Sequence, residues 1–381
     1  MDFNYSEEQL LVQKTAREFA AEQLAPGVAD RDEKMEFPAE QIKMLGEMGF
    51  MGMMVSEEWG GSGFDTVSYS LALEEIAKVD ASAAVPVSVN NSLVCALLYK
   101  YGTDDQKEKY LRKLATGEWL GAFSLSEPQA GSDASNLLTH AEKSGDQYII
   151  NGTKNWVSNG VNSNIALVFA VTEKGAGHQG ITVLAVTKGS DGFTTGKKEN
   201  KLGIRGSDTC ELYFDDCTVP GENRIAKEGD GFKIAMSVLD GGRIGIASQA
   251  LGIAQAALES AITYANERKQ FGKKISSFGA VKEKIAKMAT EITCARLLTH
   301  YAANLKDEEK SFSKESAMAK YYASEVAMSA ATECVQIFGG YGYMKEYGVE
   351  RLMRDAKITQ IYEGTSEIQK LVIARSMLEK T

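Results

Sequence analysis

Apolar positions in EEQLLVQKTAREFAAEQLAP recur near a 3.6-residue period at Leu10, Leu11, Phe19, Ala20 and Leu24, and Pro26 closes the run. PAEQIKMLGEMGFMGM repeats the pattern, with Pro38 in the first turn, where a missing N–H costs little. TVSYSLALEEIAKVD and TDDQKEKYLRKLATG give two more helices. In the second, Thr103 is the expected N-cap, and Asp104 and Asp105 suit the positive end of the helix. The pattern changes near Trp119. Down to about Arg224, short apolar runs (QYIINGTKNWVSNG, IALVFAVT, GITVLAVTKG, TCELYFDDCTVP) alternate with turn residues. Short strands so closely spaced predict an antiparallel sandwich or barrel rather than parallel βαβ units. Helical spacing returns at GDGFKIAMSVLDGGRIGIASQALGIAQAALESAITYANER. AVKEKIAKMATEITCARLLTHYAANLK, SKESAMAKYYASEVAMSAATECVQIF and a segment from about Ser366 to Leu378 follow, so four helices form a bundle. The expected class is α+β: an N-terminal all-α domain (1–118), a middle β-domain (119–228) and a C-terminal four-helix bundle (229–381).

A chain of 381 residues exceeds the roughly 250–300 that one core organises, which agrees with several units. The formal net charge of −10 offers phosphate backbones no attractive field, so no nucleic-acid partner is expected. The opening MDFNYSEEQLL has neither a basic n-region nor an apolar h-region, and no apolar run looks long enough to span a bilayer. Both features predict a cytoplasmic protein without membrane insertion. The five cysteines form no CxxC pair and read as reduced thiols. The three histidines, His140, His178 and His300, lie in no metal-binding spacing, so no metal site is expected. Scarce histidine also makes a carboxylate the expected base, if the chain carries one.

Several loops are candidates for chemistry, each with an ordinary structural reading beside it. FSLSEPQAGSD (Phe123–Asp133) has the glycine, hydroxyls and free amides to meet a pyrophosphate, but also suits a polar surface loop. It has neither Walker nor GxGxxG spacing. In NWVSNG, Trp156 and Ser158 offer a wall and a donor to a planar ring; a partly buried core tryptophan is the commoner outcome. LDGGRIG places Arg243 beside two glycines on a helix, to meet a carboxylate or phosphate or simply to face solvent. NERKQFGKKI ends a helix with cations, which the helix dipole favours regardless of function, and QIFGGYGYM reads as a C-cap and turn. In IYEGTSEIQ, Ser366 and Gln369 fit an S-x-x-Q capping box, with Glu363 just outside the helix start. From that segment alone Glu363 needs no enzymatic role.

Taken together and in order, FSLSEPQAGSD, NWVSNG, LDGGRIGIASQALG, RKQFG, QIFGGYGYM and RDAKITQIYEGTSEIQ resemble the acyl-CoA dehydrogenase family, and its short-chain (butyryl-CoA) members most. The likeness runs from MDFNYSEEQ to the C-terminus and agrees with the α–β–α order. It implies FAD lined by Phe123, Leu125, Ser126, Gly131, Ser132, Trp156, Val157 and Ser158, with Thr365 and Glu367 completing the pocket. Arg268, Phe271, Gln336, Ile337, Gly339 and Gly340 would reach the FAD of a neighbouring subunit, which implies a homotetramer built from dimers. Ser132, Asp240, Arg243, Tyr362 and Gly364 would line the acyl-CoA site.

By the same resemblance Glu363 is the catalytic base. It would take the α-proton of a (short-chain) acyl-CoA while the β-hydride leaves to flavin, forming a trans-2-enoyl-CoA and passing electrons to an electron-transfer flavoprotein. Relatives that carry their base on the earlier helix would need a carboxylate where Gly241 and Gly242 stand, which sharpens the assignment to Glu363. Gly279 departs from the family pattern, where a glutamine meets the flavin adenine across the interface. Two alternatives remain at this level: the same fold running as an enoyl-CoA reductase, and a non-catalytic FAD/acyl-CoA-binding subunit.

Overall fold

The computed structural model describes residues 4–378. The outer ends of the first and last expected domains, 1–3 and 379–381, lie outside the described residues. The first helix, Glu7–Phe19, starts at a reciprocal cap: Gln9 N–H donates to Ser6 Oγ (3.1 Å) and Ser6 N–H to Gln9 Oε1 (2.9 Å). Thr103 caps its helix as expected, accepting from Gln106 N–H at 3.3 Å. A helical stretch the periodicity did not announce runs from Ala81 to Tyr101, with a π-turn at Val89–Cys95. By length and composition it could cross a membrane, contrary to the sequence expectation. However, 94% of its apolar window is buried inside the fold, so it is a core helix.

The middle segment forms one eight-stranded mixed sheet. Its hydrogen-bonded order is Phe193–Thr195, Thr209–Pro220, Gln147–Ser158, His140–Ser144, Ile165–Val171, Ile181–Thr187 and Arg224–Ile225. Most pairs are antiparallel, as expected, but Gly121–Ser124 joins Ile165–Val171 in parallel, and His140 pairs with Val171 in parallel. Alternation along Ile165–Val171 shows how the sheet is buried. Leu167 and Phe169 join the core shared with the helices, whereas Ala166, Val168 and Ala170 join a second core with Tyr148, Ile150, Leu212 and Phe214. Ile181–Thr187 and Thr209–Pro220 touch although three strands lie between them in the order, so the sheet curls over its inner core.

Gly231–Glu267, 37 residues, is the axis of the C-terminal part. Gly279–Asp307 and Ser313–Phe338 pack along it, and it also packs on Thr66–Val79, joining both helical layers. Ser366–Leu378 is the expected last helix. Between them lies a further helix, Val349–Thr359, which adds a fifth to the expected four. Its buried face is Val349, Leu352, Asp355, Ala356 and Thr359, an apolar stripe interrupted by two polar residues.

Candidate active site

After the Val349–Thr359 helix the chain turns back through Tyr362, Glu363 and Gly364. Glu363 (φ 51°) and Gly364 (φ 92°) are both left-handed. That conformation costs a non-glycine residue about 1–2 kcal/mol, so surrounding contacts must hold it. Lys320 Nζ donates to the Gly364 carbonyl at 2.7 Å, and Gln369 Nε2 donates to the carbonyls of Gly364 (2.9 Å) and Glu363 (3.1 Å). The expected S-x-x-Q capping box does not form. Gln369 is spent on the turn, Ser366 Oγ donates to Glu325 (2.7 Å), and Thr365 Oγ1 caps the helix by accepting from Ile368 N–H (3.3 Å). A one-residue shift leaves the hydroxyl cap in place and frees glutamine to clamp the turn.

The clamped turn aims the Glu363 carboxylate at the central helix. A Cβ at position 242 would lie 2.1 Å from Glu363 Oε2 and 2.8 Å from Leu93 Cδ2, so only glycine leaves the carboxylate its place. Oε2 is buried without a hydrogen-bond partner. Burial raises the Glu363 pKa to about 7, with Lys320 and Arg243 pulling the other way. A buried carboxylate with an unspent oxygen and a pKa near neutrality is equipped to accept a proton.

Arg243 is buried, not on the surface, and gives Nη1–H to Asp240 Oδ1 at 2.6 Å, while its Nε has no partner. Desolvation lowers its pKa and raises that of Asp240, which also accepts from Ser313 Oγ (3.0 Å). The Tyr362 hydroxyl donates to Gln249 Oε1, and burial pushes its pKa well up. Glu363, Arg243, Tyr362 and Gly364 therefore do come together, as the sequence expects, with Asp240 tied to them through Arg243. Lys320 and Gln249 complete the cluster and were not anticipated, while Gln369 enters it by clamping the turn rather than through the expected capping box. The signal for Lys320 was position: it shares a helix face with Ser316, Ala323 and Ala327, where a lysine is out of place.

The Phe123–Ser132 segment comes beside Trp156 near the end of the Gln147–Ser158 strand. The pairing of Gln147–Ser158 with Thr209–Pro220 slips by one residue between Lys154 and Val157. This bulge puts Trp156 in a left-handed conformation (φ 59°) and turns its ring outward, 62% exposed instead of part of the core. Asn155 N–H donates to the Ser126 carbonyl (2.9 Å), fastening the loop to the bulge. Beneath it, buried Lys154 contacts Glu127 (2.7 Å) and the Leu125 carbonyl (3.0 Å). Desolvation lowers the Lys154 pKa to about 8. Burial works against the Glu127 carboxylate too, but Lys154 and the Leu138 N–H outweigh it and hold its pKa below the usual value. Gly131, Ser132 and Trp156 are exposed, whereas the side chains of Leu125 and Val157 are committed to the core, leaving only their main chain for a ligand.

A separate open cavity of about 460 Å³ is lined by Tyr264, Arg268, Ile337, Phe338, Gly339, Gly340 and Tyr341 among others. Arg268 lies over the Tyr341 ring (5.2 Å), and Tyr264 stacks on Phe338 (4.0 Å). Gly339 and Gly340 leave open space where a Cβ would stand. Aromatic faces, a guanidinium and bare backbone suit a heteroaromatic ring with a phosphate tail. Neither the Phe123–Ser132 loop nor Trp156 lines this cavity, and neither do Gln336 or Phe271; the latter is 92% exposed. Thr365 and Glu367 line a third recess with Lys357 and Lys370. These surfaces carry groups of the kind FAD needs, and the two recesses share no lining residue. Among the described residues, no group of three or more His, Cys, Asp or Glu side chains comes together as a metal site.

Three family models match consecutive parts of the chain: "Acyl-CoA dehydrogenase, N-terminal domain" over 6–118, "middle domain" over 122–217 and "C-terminal domain" over 229–378. The chain belongs to the acyl-CoA dehydrogenase family. It is accordingly an FAD-dependent oxidoreductase acting on acyl-CoA. It is 49% identical to the short-chain-specific acyl-CoA dehydrogenase of Clostridium acetobutylicum, over 98% of this chain and 99% of that one. The butyryl-CoA dehydrogenase structure from Megasphaera elsdenii is 49% identical, with a TM-score of 0.98 over 99% of this chain and 100% of that one. A chain in the structure described as "Electron transferring flavoprotein of Acidaminococcus fermentans: Towards a mechanism of flavin-based electron bifurcation" is 50% identical, with a TM-score of 0.98 and the same coverage. This acyl-CoA dehydrogenase fold thus shares its whole length with those relatives.

Proposed function

We propose that the chain dehydrogenates a short-chain acyl-CoA to the trans-2-enoyl-CoA, with Glu363 as the base that takes the α-proton. The observation that carries this reading is the buried, unpartnered Glu363 Oε2 lodged over Gly242. The thioester α-proton is only weakly acidic, so its removal needs both a base near neutral pKa and a donor for the enolate oxygen. The Glu363 N–H is the proposed protein donor to the thioester carbonyl. Asp240, Arg243, Tyr362, Gly364 and Ser132 line the acyl-CoA path. Phe123–Ser132, Trp156–Ser158, Thr365 and Glu367 hold one flavin; Arg268, Phe271, Gln336, Ile337, Gly339 and Gly340 reach that of a neighbouring subunit in a homotetramer. Bound FAD supplies the acceptor for the β-hydride and the electron store from which an electron-transfer flavoprotein draws.

The test is anaerobic mixing of the FAD-loaded protein with butyryl-CoA. Glu363→Gln keeps the flavin absorbance and loses reduction by about 10²–10⁴-fold, the usual worth of a general base. Reduction at the wild-type rate would remove Glu363 from this role. Rates across C4 to C16 acyl-CoAs check the chain length, and a maximum at C8 or beyond would overturn the short-chain assignment.

A further inference from the structure

We propose that Lys320 is a positioning residue for the reaction: its buried ammonium pins the Gly364 carbonyl, and with it the left-handed Glu363 turn, and keeps the carboxylate charged in its pocket. This rests on Glu363 being the base. Lys320 is fully buried on the Ser313–Phe338 helix, and among the described residues its ammonium bonds to a neutral carbonyl, that of Gly364, at 2.7 Å. Among the described residues its charge is not spent in an ion pair. Arg243, the other cation facing Glu363, is already tied to Asp240 at 2.6 Å. The remaining groups that face this pair are the Tyr362 and Tyr69 phenols, whose pKa values burial raises, and the Glu325 and Glu367 carboxylates on the Lys320 side.

Desolvation brings the Lys320 pKa down to about 8, with the facing Glu363 carboxylate opposing the fall. Of the charges acting on Glu363, Lys320 is the larger, ahead of Arg243. An opposite charge favours an ionised carboxylate, so removing it moves the Glu363 titration upward. A lysine that served only to fill the helix interface would leave that titration where it was.

The experiment compares wild type, Lys320→Met and Lys320→Arg, all FAD-loaded. It uses the pH dependence of anaerobic flavin reduction by butyryl-CoA and ¹³C NMR of the protein labelled at glutamate Cδ, with Glu363→Gln identifying the signal. In Lys320→Met the acid limb and the Glu363 signal both move up by about 1 pH unit or more. The rate at pH 7 falls roughly tenfold and recovers as pH rises, while Lys320→Arg leaves both titrations in place. If Lys320→Met does not fold, Lys320→Gln serves, since it keeps an N–H donor without the charge and predicts the same upward move. An unmoved limb and signal in the neutral variant overturn the proposal for Lys320 alone, provided Glu363→Gln is inactive. An active Glu363→Gln overturns the base assignment instead.

Discussion

Gly242 and Glu363 define the site at the scale of single residues. A methyl group at 242 would fall 2.1 Å from Glu363 Oε2, so Gly242→Ala has to displace the carboxylate. Displacing a reacting group by about 1 Å costs on the order of 10²-fold. Flavin reduction by Gly242→Ala is expected to fall by about that factor while FAD content stays normal; an unchanged rate would show that the carboxylate works from elsewhere. The raised Glu363 pKa has a second consequence. A carboxyl whose folded pKa, about 7, lies above its unfolded value favours the fold while protonated. That contribution is present below the unfolded value and is lost as pH rises through 7. Glu363→Gln cannot ionise, so relative to wild type it gains thermal stability between pH 5.5 and pH 8. Melting curves at the two pH values check the sign.

At the scale of elements, the bulge at Asn155–Trp156 and the clamp beneath it shape the surface around the outward Trp156 ring. Lys154 and Glu127 are both buried, and Glu127 also accepts from the Leu138 (2.6 Å) and Thr139 (3.1 Å) N–H groups. Lys154→Met strands the Glu127 carboxylate, a loss of roughly 3–5 kcal/mol for a buried pair broken on one side. Denaturant unfolding measures it, and a loss below 1 kcal/mol would mean that water reaches Glu127 after all. The outward Trp156 was not legible as such. Its strand pattern was, but a one-residue slip in pairing depends on the partner strand, which local periodicity does not contain. The S-x-x-Q reading failed for a related reason. Thr365 and Ser366 both suit a cap, and the choice was made by the carbonyls of Glu363 and Gly364, which needed Gln369.

For the whole molecule, the division of flavin-fitting surfaces matters most. The Arg268–Gly340 cavity is not lined by the Phe123–Ser132 loop, which is the arrangement expected if each FAD is held by two subunits. FAD binding and assembly are then linked by mass action. Sedimentation of the apoprotein with added FAD is expected to shift toward the tetramer, and Arg268→Ala to weaken both FAD retention and assembly. Stoichiometric FAD on a species that stays monomeric would break the link.

By itself the sequence determined the α–β–α order, the strand-rich middle and the motif set that points to Glu363. The order and the strand-rich middle rest on short-range periodicity, whereas the pointer to Glu363 rests on the resemblance of those motifs to the acyl-CoA dehydrogenase family. Only the tertiary structure decided that Glu363 lies against Gly242, that Arg243 is buried with Asp240, and that Lys320 and Gln369 clamp the turn. Burial and charge depend on distance in space, and these groups come from three helices and a turn well separated along the chain. The apolar Ala81–Tyr101 stretch makes the same point: its composition suits a membrane, and only the surrounding helices make it a core.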